Sequence, residues 1–371
     1  MTKIKTLLIA NRGEIALRIS RTAADAGIIT AGVHPEDDAQ SLHILRAELL
    51  PGQGARAYLD VNEVVEAARR AGADAVHPGY GFLSENADFA AAVEASGMIF
   101  VGPTPKSLRL YGDKVAARKL AETCGVPVVP GTPDPVDEAA AATFFEGLTE
   151  GAAMIVKAVA GGGGRGMRVV RSVDEVAAAV ASARREAEAA FGNGDVYVER
   201  FIESARHIEV QILGDGQGGI AVMSERDCTL QRRHQKVVEI APAPFLNDET
   251  RVQLHDYARK LAAEGRYRSL GTFEFLLDKA TKEIFFIEAN PRIQVEHTIT
   301  EAIFDIDLVA MQLDIAQGAR LADLAIPDTP RGYAVQTRIN MERIGADGSI
   351  RPSGGLIKAY DPPAGPGIRV D

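Results

Sequence analysis

Residues 271–292 read GTFEFLLDKATKEIFFIEANPR. Two apolar stretches flank the polar run DKATKE, a pattern typical of a β-hairpin whose strands are largely buried. Counting outward from the turn places Glu274 on the first strand almost opposite Glu288 on the second. The strand period of two also puts Glu288, Asn290 and Arg292 on one face. The hairpin therefore predicts two carboxylates and an amide that meet on one surface of a sheet.

The two facing glutamates indicate a bound cation. Like charges directly across a sheet are destabilising unless something positive lies between them. Oxygen ligands without histidine or cysteine fit Mg²⁺, which usually binds one or two carboxylates together with substrate phosphates. We therefore predict a magnesium site at Glu274, Glu288 and Asn290. The alternative is a pair of solvated glutamates on an exposed face, which the apolar neighbours FEFLL and IFFIEAN disfavour.

A second predicted hairpin, residues 157–170, reads KAVAGGGGRGMRVV. It is not a P-loop, because G-K-[ST] at a helix start is missing and the residues after the glycines alternate as in a strand. Glycine-rich backbone can lie over phosphates, and Lys157 and Arg165 would supply positive charge. A lysine within the apolar strand MIVKAV is costly unless it meets an anion. We expect a phosphate-covering loop, with a flexible hairpin that binds nothing as the alternative.

The remaining pattern indicates two kinds of fold in succession. Up to residue 101, short apolar strands alternate with helices, which predicts a Rossmann-like α/β unit with a parallel sheet. Its first strand runs into NRGE and not into G-x-G-x-x-G, so we do not expect NAD binding. From residue 151 strands follow one another with helices set to one side, which predicts an α+β unit. The strand in GYAVQTRINMER is expected to open a third region.

Composition restricts the compartment and the partners. Of 371 residues, 46% are hydrophobic and 25% charged, as in ordinary globular proteins. The formal net charge of −10 opposes binding to a phosphate backbone, so nucleic acid is not an expected partner. No apolar run approaches the roughly 20 residues that span a bilayer, and we expect a cytoplasmic protein without a membrane partner. Cys124 and Cys228 are expected to be reduced thiols.

Cations nevertheless cluster locally. Residues 231–236 read QRRHQK, for which a solvated loop is the alternative, and NPRIQVEH continues the spacing of two through Arg292, Gln294 and Glu296. An arginine fork suits a small planar oxyanion, and a nearby carboxylate could take its proton. Together the candidate cations exceed what one magnesium nucleotide needs, which implies a second anion. They are Lys114, Lys157, Arg165, His207, Lys236, Arg292 and Arg338.

Seven ordered motifs resemble the biotin carboxylase unit of biotin-dependent carboxylases, which is an ATP-grasp enzyme. They are IANRGEIALRI, HPGYGFLSEN, GDK, KAVAGGGGRGMRVV, ERDCTLQRRHQKVVE, GTFEFL and IEANPRIQVEHTITE, and they cover nearly the whole chain. The resemblance implies an N-terminal α/β domain over residues 1–112 and an ATP-grasp domain over 113–318 with a glycine-rich lid at about 132–203. Residues 319–371 would begin a C-terminal domain, which is expected to be incomplete because family members continue for roughly half a domain more.

The same resemblance implies which residues bind each ligand. Around ATP it places Lys114, Lys157, Gly163, Gly164, Glu199, Ile202, His207, Gln231, His234, Glu274 and Glu288. Glu274, Glu288 and Asn290 would hold two Mg²⁺ ions, or Mn²⁺ in their place. Bicarbonate would lie among Lys236, Arg292, Gln294, Val295 and Glu296, and Arg338 would face the biotin ureido ring. Of these, Lys236, Arg292, Glu296 and Arg338 would be catalytic, with Glu296 as general base.

The implied activity is ATP-dependent carboxylation of biotin with bicarbonate through carboxyphosphate, a ligase reaction that forms a C–N bond. The implied partners are a biotin carboxyl carrier, a carboxyltransferase component and further copies of the chain in a homo-oligomer. Two alternatives stay open: another ATP-grasp ligase, such as a carboxylate–amine ligase or a carbamoyl phosphate synthetase-like enzyme, and a nucleotide-binding module without turnover. The chain departs from the family pattern at Ile240, where a second acid is frequent, and at Gln336, where glutamate is common. The final carboxyl acceptor is not encoded in these motifs.

Overall fold

The computed structural model describes residues 3–43, 47–159, 166–233 and 235–371, except for the side chain of Phe191. Its N-terminal part is a five-stranded sheet with all neighbouring strands parallel and the spatial order β3-β2-β1-β4-β5. The strands are β1 (Thr6–Ile9), β2 (Ile29–His34), β3 (Ala47–Leu49), β4 (Ala75–His77) and β5 (Ile99–Phe100). The helices are α1 (Gly13–Asp25), α2 (Val61–Arg70), α3 (Ala87–Ala95) and α4 (Pro105–Gly112). The predicted Rossmann-like α/β unit is confirmed.

The central strand β1 is apolar on both faces, as strands of covered parallel sheets are. Leu7 and Ile9 pack on one side with α1 and with residues of the following unit, such as Leu270. Leu8 packs on the other side among residues of α2 and α3. This alternation fixes one face of the N-terminal sheet against the next unit, so the two units share a hydrophobic core.

The second unit is built around a six-stranded sheet with the order β13-β12-β9-β10-β11-β14 and a three-stranded sheet with the order β7-β6-β8. Every pair in them is antiparallel. The strands are β6 (Ala153–Ala158), β7 (Arg168–Val170), β8 (Val196–Phe201), β9 (Ala205–Asp215), β10 (Ile220–Arg232), β11 (Gln235–Ala241), β12 (Arg268–Asp278), β13 (Ile284–Asn290) and β14 (Ala334–Thr337). The helices are α5 (Lys114–Thr123), α6 (Glu138–Glu146), α7 (Val176–Phe191), α8 (Asp248–Glu264), α9 (His297–Phe304) and α10 (Leu308–Ala316).

A short antiparallel pair follows near the end of the chain, and four 3₁₀ turns complete the described elements. The pair is β15 (Glu342–Ile344) and β16 (Ile350–Pro352), and the turns are Glu36–Asp38, Gly54–Leu59, Val173–Glu175 and Leu321–Asp323. Among the described residues, no helix combines the length and the apolar character needed to cross a membrane.

The register of the β12–β13 hairpin is the predicted one: Glu274 lies opposite Glu288, and Thr272 lies opposite Asn290. Strand alternation turns Phe273 to the other face, where it joins a buried aromatic cluster. One face of the hairpin thus carries the acids while the other anchors it in the core.

Two expectations of the sequence analysis were wrong. The spacing of two does not continue past Asn290, because β13 ends there and Pro291 has no N–H for a further ladder bond. Residues 291–296 form an irregular connection, and Glu296 directly precedes α9. The strand expected to open a third region, β14, instead pairs with β11 and extends the six-stranded sheet.

Gly214 on β9 tests how tightly this sheet packs. A Cβ added there would lie 2.1 Å from the carbonyl oxygen of Tyr267, so the G214A variant must displace backbone. We expect a loss of about 2–3 kcal/mol in the free energy of unfolding. In G112A, at the end of α4, an added Cβ meets no atom within 4 Å, and a gain of up to about 1 kcal/mol is expected. Urea unfolding followed by circular dichroism compares the variants, and equal stability would contradict the packing argument.

Candidate active site

A cavity of about 780 Å³ opens beside the acidic face of the β12–β13 hairpin, and Tyr80 and Gly81 of the N-terminal unit reach its wall. Every predicted site residue that the structure describes lines it. They are Lys114, Lys157, Glu199, Ile202, His207, Gln231, Lys236, Glu274, Glu288, Asn290, Arg292, Gln294, Val295, Glu296 and Arg338. Gly163, Gly164 and His234, which the resemblance places around ATP, lie outside the described residues, as does Arg165.

Lys236 on β11 lies in the cavity wall, where three carboxylates contact it. Its Nζ lies 2.5 Å from Glu209 Oε2, 2.9 Å from Glu274 Oε1 and 2.8 Å from Glu296 Oε1. The three carboxylates are almost completely buried, and a buried charge without a partner is strongly unfavourable. One ammonium therefore allows carboxylates from β9, β12 and the connection before α9 to converge.

The shared ammonium also keeps these acids ionised. Burial would raise the pKa of Glu274, but Lys236 and His207 outweigh it and hold the pKa well below its usual range. The same competition, with Arg226 and Lys236 opposing burial, lowers the pKa of Glu209 to about 2. Glu296 also has a pKa below its ordinary value because Lys236 overcomes its burial. At neutral pH all three side chains are therefore carboxylates that can accept a hydrogen bond or bind a cation.

The sequence analysis did not single out Glu209 or Arg226. Arg226 is completely enclosed, with Nε 2.5 Å from Glu209 Oε1 and Nη2 2.8 Å from Gln294 Oε1. It thereby orients Gln294, a predicted bicarbonate residue, and anchors Glu209. One signal could have found Glu209: in HIEVQI the polar residues His207, Glu209 and Gln211 alternate with apolar ones, which indicates a strand whose polar face points into a site.

The predicted metal ligands Glu274, Glu288 and Asn290 each carry an oxygen ligand atom on one face of the hairpin, which we call the oxygen face, and Asn290 Oδ1 accepts a hydrogen bond from Arg292 Nη2 at 3.0 Å. Glu274 and Glu288 are direct cross-strand neighbours, and Glu288 Oε2 lies 3.2 Å from Lys114 Nζ. The Asn290 amide, as oriented, donates to Glu274 Oε1 at 2.8 Å. His207, Glu209 and Glu274 form another group whose ligand atoms lie within 4.8 Å of one another, and both of its carboxylates pair with Lys236. Glu274 belongs to both groups, but the hairpin face adds Glu288, which pairs with Lys114 and not with Lys236, and the hairpin face is therefore the better candidate for a divalent cation.

Lys157 on β6 meets its anion inside the protein. Its ammonium and the guanidinium of Arg118 on α5 both bond the carboxylate of Glu199, which is buried on β8. The sequence analysis expected this lysine to pair with an anion, and Glu199 is that anion. It did not predict Arg118 as the second cation on Glu199. Lys157 still borders the cavity, so a phosphate could share its charge.

Arg338 and Arg292 approach the cavity from different elements, and each is held by carboxylates. Arg338, which follows β14, donates from Nη2 to Glu296 Oε2 at 2.9 Å and from Nε to Glu239 Oε1 at 2.7 Å. Arg292 Nε donates to Glu85 Oε1 of the N-terminal unit at 2.6 Å. Arg338 is thus positioned in advance beside Glu296, the predicted base, and Arg292 is held by Glu85 where it lines the same cavity.

Comparison with protein families divides the chain into two matched regions. Residues 3–108 match the model described as the biotin carboxylase N-terminal domain. Residues 113–324 match the model described as the carbamoyl-phosphate synthase L chain ATP binding domain.

Characterised relatives are similar along the full length of the chain. A pyruvate carboxylase of Aspergillus niger is 48% identical over 100% of this chain and 32% of its own length. The biotin-dependent acyl-coenzyme A carboxylase alpha3 subunit of Mycobacterium leprae is 45% identical over 100% of this chain and 62% of its own length. The chain thus spans about one third and just under two thirds of these relatives.

Solved structures share the architecture. The biotin carboxylase–β-γ-ATP complex from Campylobacter jejuni has a TM-score of 0.90 and 40% identity, covering 98% of this chain and 81% of that one. The biotin carboxylase domain dimer of the Hydrogenobacter thermophilus 2-oxoglutarate carboxylase, in complex with MgADP, ADP and bicarbonate, has a TM-score of 0.86 and 39% identity. That match covers 92% of this chain and 76% of the other.

Removing the shared ammonium should destabilise the protein in a pH-dependent way. K236M leaves three buried carboxylates without their common cation, and we expect a loss of about 3–5 kcal/mol at pH 8. The loss should shrink at pH 5, because the pKa values of the carboxylates rise in the variant and the groups take up protons. Urea unfolding at both pH values measures this.

Lys119 provides the matched control, because it pairs with Asp134 at 3.0 Å on the surface. K119M should cost at most about 1 kcal/mol at either pH. A K236M loss that is equally small, or that does not depend on pH, would contradict the description of Lys236 as the shared counter-charge.

Proposed function

The chain belongs to the biotin carboxylase family, and on this basis we propose that its cavity carboxylates biotin with bicarbonate at the expense of ATP. The single observation that carries the proposal is the convergence of Lys236 and Arg338 on the carboxylate of Glu296, at 2.8 Å and 2.9 Å. A base held between two cations, in a cavity that Arg292 also lines, suits a small oxyanion that must lose a proton. The relatives are longer than this chain, so the activity of the intact protein is part of the proposal.

ATP would bind along the wall formed by β6, β8, β9, the end of β10 and the start of α5. Lys114 and Lys157 would contact the phosphates, since both are cations on that wall. Glu199, Ile202, His207 and Gln231 line the same wall and are proposed to surround the nucleotide. Gly163, Gly164 and His234 are proposed as further contacts from the family motif alone.

The oxygen face of Glu274, Glu288 and Asn290 fits a magnesium ion, or manganese, because it combines two facing carboxylates with an amide. We propose these three as ligands of up to two ions. When bound, the metal neutralises charge that develops on the phosphoryl oxygens. On binding, Lys114 can leave Glu288 for a phosphate oxygen.

Bicarbonate would lie among Lys236, Arg292, Gln294, Val295 and Glu296, which share one end of the cavity. Glu296 accepts the bicarbonate proton as a bicarbonate oxygen attacks the γ-phosphorus, which yields carboxyphosphate and ADP. Its lowered pKa keeps it ionised at neutral pH and ready for this step. Lys236 and Arg292 would place positive charge beside the two reacting anions.

The second step transfers carbon dioxide to biotin. Carboxyphosphate dissociates into carbon dioxide and phosphate, and the phosphate takes the proton from the ureido nitrogen of biotin. Arg338 stabilises the resulting enolate, whose nitrogen attacks carbon dioxide. A closed glycine loop would exclude water from carboxyphosphate.

The proposed partners follow from the same assignment. Biotin would arrive on a carrier domain or protein, and a carboxyltransferase component would use the carboxylated product. A homo-oligomer is proposed because the Hydrogenobacter domain is described as a dimer, and a cytoplasmic location stays a prediction. A second candidate is a carbamoyl phosphate synthetase-like ligase, favoured by the family model that matches residues 113–324.

ATP hydrolysis with and without bicarbonate and free biotin tests the proposal. We expect bicarbonate to be required and biotin to accelerate turnover, because biotin consumes the carbon dioxide that carboxyphosphate releases. Hydrolysis that needs bicarbonate but ignores biotin would favour the other ligase, and a chain that binds ATP without hydrolysing it would overturn the enzymatic assignment.

The base can be tested separately. E296Q should lower bicarbonate-dependent turnover by a factor of roughly 10²–10⁴, the usual contribution of a general base. The dissociation constant for ATP, measured by calorimetry, should change little, because Glu296 lies at the bicarbonate end. The exposed Glu283 serves as control, and E283Q should be unchanged in both assays. Equal loss of turnover and ATP binding in E296Q would refute the role.

A further inference from the structure

A buried glutamate that this reaction does not use lies behind Arg338. Glu239 on β11 is 0% exposed and stands opposite Gln336 of β14 in the sheet register. Its Oε1 lies 2.7 Å from Arg338 Nε and 2.6 Å from Arg338 Nη2. Within the part of the chain that the structure describes, its Oε2 has no hydrogen-bond partner.

This arrangement is unfavourable for folding alone. An unsatisfied carboxylate oxygen away from water costs free energy, and a well-packed apolar residue would avoid the cost. The charged groups facing Glu239 are Arg338 next to β14, Glu296 before α9 and Glu209 on β9. Two of these three are acids, so Arg338 is the one of the three with which Glu239 can form an ion pair.

Arg338 stands between two carboxylates that compete for it. Its Nη2 is shared, with Glu296 Oε2 at 2.9 Å and Glu239 Oε1 at 2.6 Å. Arginine and a carboxylate pair most strongly in a bidentate fork. Without Glu239 the guanidinium could turn fully onto Glu296, which would remove it from a substrate and weaken the base at the same time.

We propose that Glu239 is a positioning residue that shares Arg338 with Glu296, prevents Arg338 from pairing with Glu296 through both of its nitrogens, and so keeps the guanidinium available to the enolate of biotin. This inference rests on the proposed function of the same cavity. It assigns Glu239 to the biotin step, because the described side chain that Glu239 bonds is Arg338, the residue proposed to face biotin.

The interaction between Glu239 and Arg338 is expected to depend on pH. Burial, aided by the charge of Glu296, outweighs Arg338 and raises the pKa of Glu239 to about 7. Above that pH Glu239 is a carboxylate that forms a charged hydrogen bond with Arg338, and below it the neutral acid binds Arg338 less strongly. The KM for biotin should therefore fall as the pH rises through about 7.

The experiment compares E239Q with the wild-type chain in steady-state biotin-dependent ATP hydrolysis. Gln keeps the shape and an acceptor oxygen but cannot ionise. We expect the KM for biotin to rise about tenfold, the usual effect of weakening a charged hydrogen bond, while the KM for ATP changes by less than about twofold. The pH dependence of the KM for biotin near 7 should disappear in the variant.

Two further variants separate positioning from folding. Glu225 is also 0% exposed and bonds an arginine, Arg251, at 2.9 Å, but Arg251 does not line the cavity, whereas Arg338 does. E225Q should leave both KM values and the pH profile as in wild type. In an R338Q background, E239Q should add no further change to the KM for biotin, because the residue acts through Arg338.

Each other outcome overturns the inference. Equal rises in both KM values, a retained pH step in E239Q, or effects of E239Q and R338Q that simply add would show that Glu239 does not act through Arg338. A wild-type chain without bicarbonate-dependent hydrolysis would instead overturn the proposed function, and this inference with it.

Discussion

The ammonium of Lys236 is shared by three carboxylates that come from three separate segments of the second unit. Glu209 lies on β9, Glu274 on β12 and Glu296 on the connection that follows β13. Without a common cation these buried acids would repel one another or take up protons. The polar face of the six-stranded sheet therefore depends on this lysine as the cation common to all three acids, with Arg226 as a further partner of Glu209 and Arg338 as a further partner of Glu296.

The same cation links the two ends of the cavity. From Lys236 one contact runs to Glu274 and the metal face, and another runs through Glu296 to Arg338 and Glu239. A proton accepted by Glu296 would weaken its pairing with both cations at once. In the proposed reaction this is useful, because Arg338 would become free for biotin as soon as bicarbonate has lost its proton.

Local rules explain what the sequence analysis predicted correctly and where it failed. The facing of Glu274 and Glu288 follows from strand period and a single turn, so one hairpin was enough to predict it. Glu239, Arg226 and Arg118 act through partners from other elements, which no local pattern reveals. Glu296 lines the cavity as predicted, but it does not lie on a continued strand. The strand ends before Pro291, and an irregular connection brings the Glu296 side chain to the cavity.

Charge balance gives an argument for a divalent cation that does not depend on any motif. Among the described residues of the paired network, the lysines and arginines are Lys114, Arg118, Lys157, Arg226, Lys236, Arg292 and Arg338, and the glutamates are Glu85, Glu199, Glu209, Glu239, Glu274, Glu288 and Glu296. The two sets are equal in number, so when all are ionised the network has no surplus positive charge. A nucleoside triphosphate and bicarbonate would add several negative charges that these side chains cannot balance. Binding both anions together requires added positive charge, and the oxygen face of the β12–β13 hairpin is where a divalent ion can supply it.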